Sequence, residues 1–462
     1  MADSISPPAE NAGSASKPAT KPDTNAAKPT RPPNPIYKYM GLGENFRPKL
    51  PSRNWTIFLT ITGSFAAAVI YDKREKKRAQ RKWCKLVEHI AKEPLDPRSM
   101  PRKLTIFLEA PPSDGLRISQ DHFKEYVKPI LVASGLDWDF IQGRKEGDIR
   151  AELAEKIRTS RLPADSREED AILNTRRQQG VKEFDGPNGD IVIGRHTWKE
   201  YIRGLHEGWL GPLTEPPRPE PAEVPVPEAQ EPQQVPETLP GITVHSSPGQ
   251  ADAPPVTTPA VPDEKPKKPS PFIKTSEYSE VSDLAHLPQE FDPSQPIAFP
   301  HILGFFNTPT RLYRFLLRRR LADSIGRDTA AIILSTYRPY TITSISSELS
   351  PASSPEAISE QDAAMITEEK EWHKSVHKHT DDEPERTWLE PMVLDPRIAS
   401  RMRKAELTPE DEERARKIVV SEEEVEGWIK GGIRSGIRGG MSYLGFGKKS
   451  DEKTSGEEEA LE

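Results

Sequence analysis

One stretch constrains this 462-residue chain more than any other: from Asn54 to Tyr71, NWTIFLTITGSFAAAVIY, eighteen residues run between Arg53 and Asp72 without a charge. At ~1.5 Å per helical residue the run reaches about 27 Å, close to a hydrocarbon core of roughly 30 Å, so it crosses a bilayer with little tilt. Trp55, Ile57, Phe58, Leu59, Ile61, Phe65, Val69, Ile70 and Tyr71 form its membrane surface, with Trp55 and Tyr71 at the two ends, where amphipathic rings prefer the headgroup level. The run occurs once, and one helix makes an anchor, not a pore. The competing assignment, a buried helix of a soluble domain, fits poorly with the nine lysines and arginines in the twenty-one residues that follow.

Composition limits how much of the rest folds. Proline makes up 48 of 462 residues, about twice ordinary usage, while hydrophobic residues are 34 % and charged residues 30 %. A single cysteine, Cys84, excludes an internal disulfide and a cysteine-built metal cluster. The net charge of −7 gives no case for nucleic acid. Basic residues instead gather after the span, where Lys73, Arg74, Lys76, Lys77, Arg78, Arg81 and Lys82 suit anionic lipid headgroups or an acidic partner surface.

Residues 1–35, rich in Pro, Ala, Ser and Asn with early Asp3 and Glu10, resemble neither an arginine-rich transit helix nor a secretory signal and are expected to be a retained, disordered tail. Both flanks of the span are positive: five basic and one acidic side chain in 31–53, nine and three in 72–92. Charge counting therefore favours the more negative compartment for the C-terminal side only slightly.

Beyond the span, a helix is expected to continue through 72–93 with Trp83, Leu86, Val87 and Ile90 on one stripe, ending before Pro94 and Pro97. Alternation follows: a strand at Lys103 to Leu108, a helix near Ser119 to Ser134, a strand at Leu136 to Ile141, a helix from Asp148, then a strand at Asp190 to Ile193 and a helix at Trp198 to Leu210. This order predicts an α/β domain with parallel strands, its first part over 100–211. Residues 212–271 hold eighteen prolines in sixty positions, so 212–280 is expected to be a disordered insert. The remainder, 285–420, is expected to contribute order at Pro296 to Phe306, a helix at Thr310 to Leu321, a short apolar element at Ala330 to Leu334 and a charged helix at Pro409 to Val420. Between them 344–385 is polar and loose, apart from a helical stretch around Ala363 to Lys378. In 421–462, Ile429, Ile433, Ile437 and Met441 recur every four residues among Lys430, Arg434 and Arg438, an interfacial pattern interrupted by glycines. Contact with a membrane surface and a plain solvated tail both fit this segment.

The loops that would carry nucleotide chemistry lack what it needs. A phosphate loop requires glycines so that backbone N–H groups approach the anion. After the first strand stand Pro111 and Pro112, with only Gly115 to follow; after the third, Gly194 leads into Arg195 and His196, and no carboxylate appears until Glu200. No cofactor, catalytic or metal site is therefore assigned. His373 and His377 stand at helical spacing beside His379, Asp381 and Asp382, a set that reads more simply as a solvated charge cluster. Arg314 and Arg318 lie on a helix that reads either as a solvated face or as a lipid-headgroup or partner surface.

The order of the pieces, with helix text WKEYIRGL after Gly194, resembles the catalytic domain of diacylglycerol and sphingoid lipid kinases, whose loops here have lost their glycines. That resemblance implies a lipid-kinase fold with the nucleotide chemistry dropped. A more extensive resemblance is carried by NPIYKYMGLGENFRPKLPSRNWTIFLTITGSF, DKREKKRAQRKWC, PRKLTIFLEAPPSDGL and PIAFPHILGFFNTPTRLYRFLLRRRLADSIGRDTAAIIL. These segments are similar to the Tim54 family, the large single-span subunit of the mitochondrial carrier translocase. The resemblance implies an inner-membrane scaffold, its large domain in the intermembrane space, whose partners are a multispan channel subunit, other translocase subunits, small intermembrane-space chaperones and anionic lipids. Gly63, Ser64, Ala67 and Ala68 would let the span dock closely on a neighbouring helix. Against the scaffold stands the alternative of a membrane-anchored kinase acting on acylglycerols, which would need a glycine loop and a metal carboxylate where Arg195 and His196 stand.

Overall fold

The structure, a computed structural model, describes residues 52–163, 171–182, 184–216, 270–282, 287–344, 357–378 and 385–426. The N-terminal tail, most of the proline-rich insert and the amphipathic segment after residue 426 lie outside the described residues. The chain divides into two compact units, 1–65 and 66–462.

In the first unit the described residues from Arg53 on belong to helix α1 (Arg53–Val87). Its side chains are exposed, Ile57 at 50 % and Ile61 at 64 %, and the helix is long and apolar enough to cross a membrane. The hydroxyls of Thr60, Thr62 and Ser64 donate to the carbonyls of Ile57, Phe58 and Ile61 at 2.8–2.9 Å, so no hydroxyl on this stretch needs water.

The second unit begins with the end of α1, where Trp83, Cys84, Leu86 and Val87 are buried. Then follow β1 (Lys103–Glu109), α2 (Leu116–His122), a π turn (Phe123–Val127), α3 (Lys128–Ser134), β2 (Asp137–Gly143), α4 (Asp148–Arg161), α5 (Ala171–Gln178), β3 (Asp190–Ile193) and α6 (Arg195–Leu210). After the insert come β4 (Pro293–Ile297), α7 (Thr308–Phe315), α8 (Arg318–Ile333), β5 (Tyr337–Pro339), β6 (Ile342–Ser344) and β7 (Ala357–Ser359). Last are α9 (Glu360–Ala363), α10 (Ile366–Glu369), α11 (Pro396–Ala399), β8 (Arg403–Ala405), α12 (Pro409–Lys417) and α13 (Glu422–Glu426).

The expected parallel α/β architecture is present. A six-stranded sheet runs in the order β2-β1-β3-β4-β8-β5, parallel except for β5, which pairs antiparallel at one edge. Alternation along each strand builds two cores. Leu104, Ile106 and Leu108 of β1 with Ile191 and Ile193 of β3 face α1, α2, α3 and α8, whereas Phe107 and Val192 face α4 and α6. On the second side α6 lies close against α4: a Cβ at Gly204 would stand 2.9 Å from the Arg150 carbonyl and one at Gly208 2.7 Å from Ile157 Cβ.

Three local readings change. The single helix expected at Thr310 to Leu321 is two, broken at Leu317 (φ −123°, ψ 22°). Asp72 causes the break to be stable: its carboxylate accepts the Arg319 backbone N–H at 3.2 Å, satisfying a free donor in the first turn of α8. Ala330 to Leu334 finishes that helix instead of forming a separate element. The stretch 357–378, read from composition as loose with one helical run, holds β7, α9 and α10 and packs on the rest of the unit, Gln361 being buried.

Candidate functional site

In an open parallel sheet, ligands bind outside the carboxyl ends of the strands where the strand order reverses. Here that point lies between β1 and β3, where the two chain directions of connection diverge. Pro111 and Pro112 follow β1, and Gly194 follows β3 and precedes α6. Gly194 has φ +94°, and a Cβ there would meet the His196 ring at 2.7 Å, so glycine serves the turn rather than a phosphate. Gly115, extended at φ −94°, precedes α2.

The crevice is filled by the chain itself. At the N-terminus of α6, where an incoming phosphate would find free N–H groups, the Glu368 carboxylate accepts from the Arg195 N–H at 3.1 Å and from the Phe299 N–H at 2.6 Å. The Arg195 side chain, 2 % exposed, donates to the Ala364 carbonyl at 2.8 Å and to Asp362 at 2.9 Å. Lys199 bonds Glu369 at 3.1 Å and the Trp388 carbonyl at 2.6 Å, while the Trp388 indole donates to Glu200 at 2.9 Å. Glu200 also accepts the Gly147 N–H at 2.6 Å. What remains between Pro111, Pro112, His196, Phe299 and Glu368 is a void of about 10 Å³, the size of one water.

Burial governs the titration of this region. It pushes the His196 and His122 imidazoles down to about 4, which keeps both neutral. Glu109, fully buried, is driven well above the carboxylate range by desolvation and then by the neighbouring Glu200. Glu200 is raised by the same desolvation.

Desolvation also lifts Glu368 from an ordinary 4.5 to about 7. Below the unfolded value both states hold the proton; between the two values only the folded state does, so stability from this group is lost as pH rises through the folded value. The expected result is that wild type loses up to about 3 kcal/mol relative to E368Q between pH 4.5 and 7, at ~1.4 kcal/mol per pKa unit. Urea midpoints of both proteins at pH 5 and pH 7.5 measure it, and a difference independent of pH would refute the buried carboxyl.

The cations marked in the sequence separate into two groups. Arg74 pairs with Glu422 at 2.6 Å, Lys76 with Glu125, Arg78 with Glu75 at 2.7 Å and Lys82 with Asp323 at 2.7 Å. Arg314 pairs with Glu371, and Arg318 with Glu125 at 3.4 Å. Lys73, Lys77 and Arg81, spaced by four on α1, are exposed and make no ion pair among the described residues. His373 hydrogen-bonds the Ser375 hydroxyl at 2.8 Å, while His379, Asp381 and Asp382 lie outside the described residues. Sequence reading missed Glu368 because a single glutamate in a polar segment carries no local signal; only its place above α6 distinguishes it.

A family profile described as inner membrane protein import complex subunit Tim54 matches residues 34–405. The chain is 50 % identical over 415 residues to mitochondrial import inner membrane translocase subunit tim54 of Aspergillus oryzae, covering 83 % of this chain and 90 % of that protein. Its identity to the Neurospora crassa subunit is 45 % over 424 residues, 87 % of each chain. The Debaryomyces hansenii subunit is 28 % identical over 494 residues, covering 84 % of this chain and 94 % of that one.

Proposed function

Because this chain belongs to the Tim54 family of inner membrane protein import complex subunits, we propose that it acts as a non-catalytic scaffold of the mitochondrial translocase that inserts multispan carrier-type proteins. The observation that carries this reading is the filled crevice: Glu368 caps the α6 N-terminus in place of a ligand phosphate, so the domain works through its surface. An anchor of one apolar helix fits the same role, since it holds the domain at the inner membrane without lining a channel.

In this reading the domain faces the intermembrane space, receives substrates from small chaperones there and holds a multispan channel subunit beside the span. Gly63, Ser64, Ala67 and Ala68 supply the close-packing face for that neighbour. Lys73, Lys77 and Arg81 supply the contact with anionic lipid, each worth ~1 kcal/mol near such a surface.

Photo-crosslinking from position 67 in intact mitochondria tests the scaffold, with a multispan translocase subunit as the expected product. Protease added after rupture of the outer membrane is expected to remove the C-terminal domain. Magnesium-dependent ATP binding by the full chain, with phosphate transfer to an acylglycerol, would overturn the proposal in favour of the kinase.

A further inference from the structure

We infer that the turn and helix at 305–315 form a second membrane contact, an aromatic wedge seated in the interfacial layer of the bilayer that α1 crosses. Among the described residues, large apolar side chains exposed elsewhere on the second unit are scattered, whereas five gather here. Phe305 is 84 % and Phe306 94 % exposed, followed by Leu312, Tyr313 and Phe315 at 47 %, 62 % and 36 %. A contiguous exposed patch of this kind marks an interaction surface.

Two observations favour lipid over protein as the occupant. The first is position. Arg319, four residues after Phe315, bonds Asp72 at 3.1 Å and places its guanidinium 5.3 Å from the centre of the Tyr71 ring, the residue that ends the uncharged run. At ~1.5 Å per residue α7 is about 12 Å long, so its aromatic residues are tethered within a short reach of the headgroup level. Position alone does not distinguish the two faces of the helix; chemistry does. Within α7 the helical period sets Leu312 and Tyr313 opposite Arg311 and Arg314, with Arg314 turned toward Glu371, while Phe315 lies on the Arg311 side with the Arg318 guanidinium 4.8 Å from its ring centre. Exposed apolar side chains beside the exposed Arg311, which makes no ion pair among the described residues, suit a helix lying in an anionic interface.

The wedge rests on the reading that 54–71 spans the bilayer, and the test separates the two. In a Cys84→Ala background the full chain, reconstituted into liposomes containing anionic lipid, is labelled at Phe306→Cys with an environment-sensitive fluorophore. A control carries the label at Glu155→Cys, on α4 across the sheet from α1. The expected result is blue-shifted emission at 306, quenched by lipids bearing a doxyl group and insensitive to iodide, with the opposite behaviour at 155. Quenching at 306 by iodide and not by doxyl lipid overturns the wedge, and so does a probe that responds to lipid only when a translocase subunit is co-reconstituted. Carbonate extraction of the same liposomes reports on the anchor separately: a chain retained in the pellet with an iodide-accessible probe has lost the wedge and kept the span.

Discussion

Truncating Trp83 to alanine is expected to lower the stability of the folded domain by about 3–5 kcal/mol, the usual cost of removing a buried indole. Trp83 is 4 % exposed, and its indole N–H donates to Asp323 of α8 at 2.8 Å. Lys82 bonds the same carboxylate oxygen at 2.7 Å and lies 4.3 Å above the Trp83 ring. Gly326 accommodates the ring, since a Cβ there would stand 2.2 Å from Trp83 Cδ1. Gly326→Ala alone is therefore expected to cost about 1–3 kcal/mol through overpacking. In the Trp83→Ala background the same change should cost little, because the clash has gone. Thermal unfolding of the four proteins in detergent gives the coupling energy, and strictly additive effects would show that ring and glycine do not meet. The functional consequence is mechanical: Trp83 seats the end of α1 against α8, so its loss should expose the residue 88–102 connection to limited proteolysis.

The second large effect is expected at Glu207. Its carboxylate, 1 % exposed, pairs with Arg150 and with Arg158 at 3.4 Å and accepts the Phe272 N–H at 3.1 Å. Arg158 also stacks over the Phe272 ring at 3.8 Å. Removing one member of a buried ionic cluster strands charge in a low-dielectric interior, so Glu207→Ala should destabilise by roughly 3–5 kcal/mol. Glu207→Gln, which keeps an acceptor oxygen of nearly the same shape, should cost less than the alanine variant. Urea unfolding measures both; an alanine variant within about 1 kcal/mol of wild type would mean that water reaches the cluster. Phe272 lies inside the 212–280 segment expected from composition to be disordered, so the cluster fastens the end of that segment, from 270 on, in order against α6.

Much of the architecture was legible because it is written in local patterns. LTIFL and DIVI read as central strands of a parallel sheet, since side chains buried on both faces leave near-continuous apolar runs. The helix expected at Trp198 to Leu210 was equally clear, as Tyr201, Ile202 and Leu205 recur at its period, and it begins one turn earlier, at Arg195. The lost glycines at 111–112 and 195–196 already argued against a phosphate loop. The polar segment from 357 was not legible, because its order comes from partners far away in sequence. Arg195 finds Asp362 and Ala364, and Trp198 donates to the Gln361 carbonyl at 2.8 Å, across more than 160 residues. The basic stripe after the span was legible only in part: composition shows a row of cations, while Glu125, Asp323 and Glu422 are placed beside it only by folding.

By itself the sequence determined the one apolar run long enough to cross a bilayer, the class of the domain and the absence of a glycine loop, each of which depends on hydrophobic period or on residue type at short range. Tertiary structure decided what occupies the crevice, where the arginine-rich helix breaks and which cations make ion pairs among the described residues. Those outcomes depend on electrostatic partners brought together from distant positions, such as Asp72 with Arg319 and Glu368 with Arg195, and no local pattern encodes such a meeting.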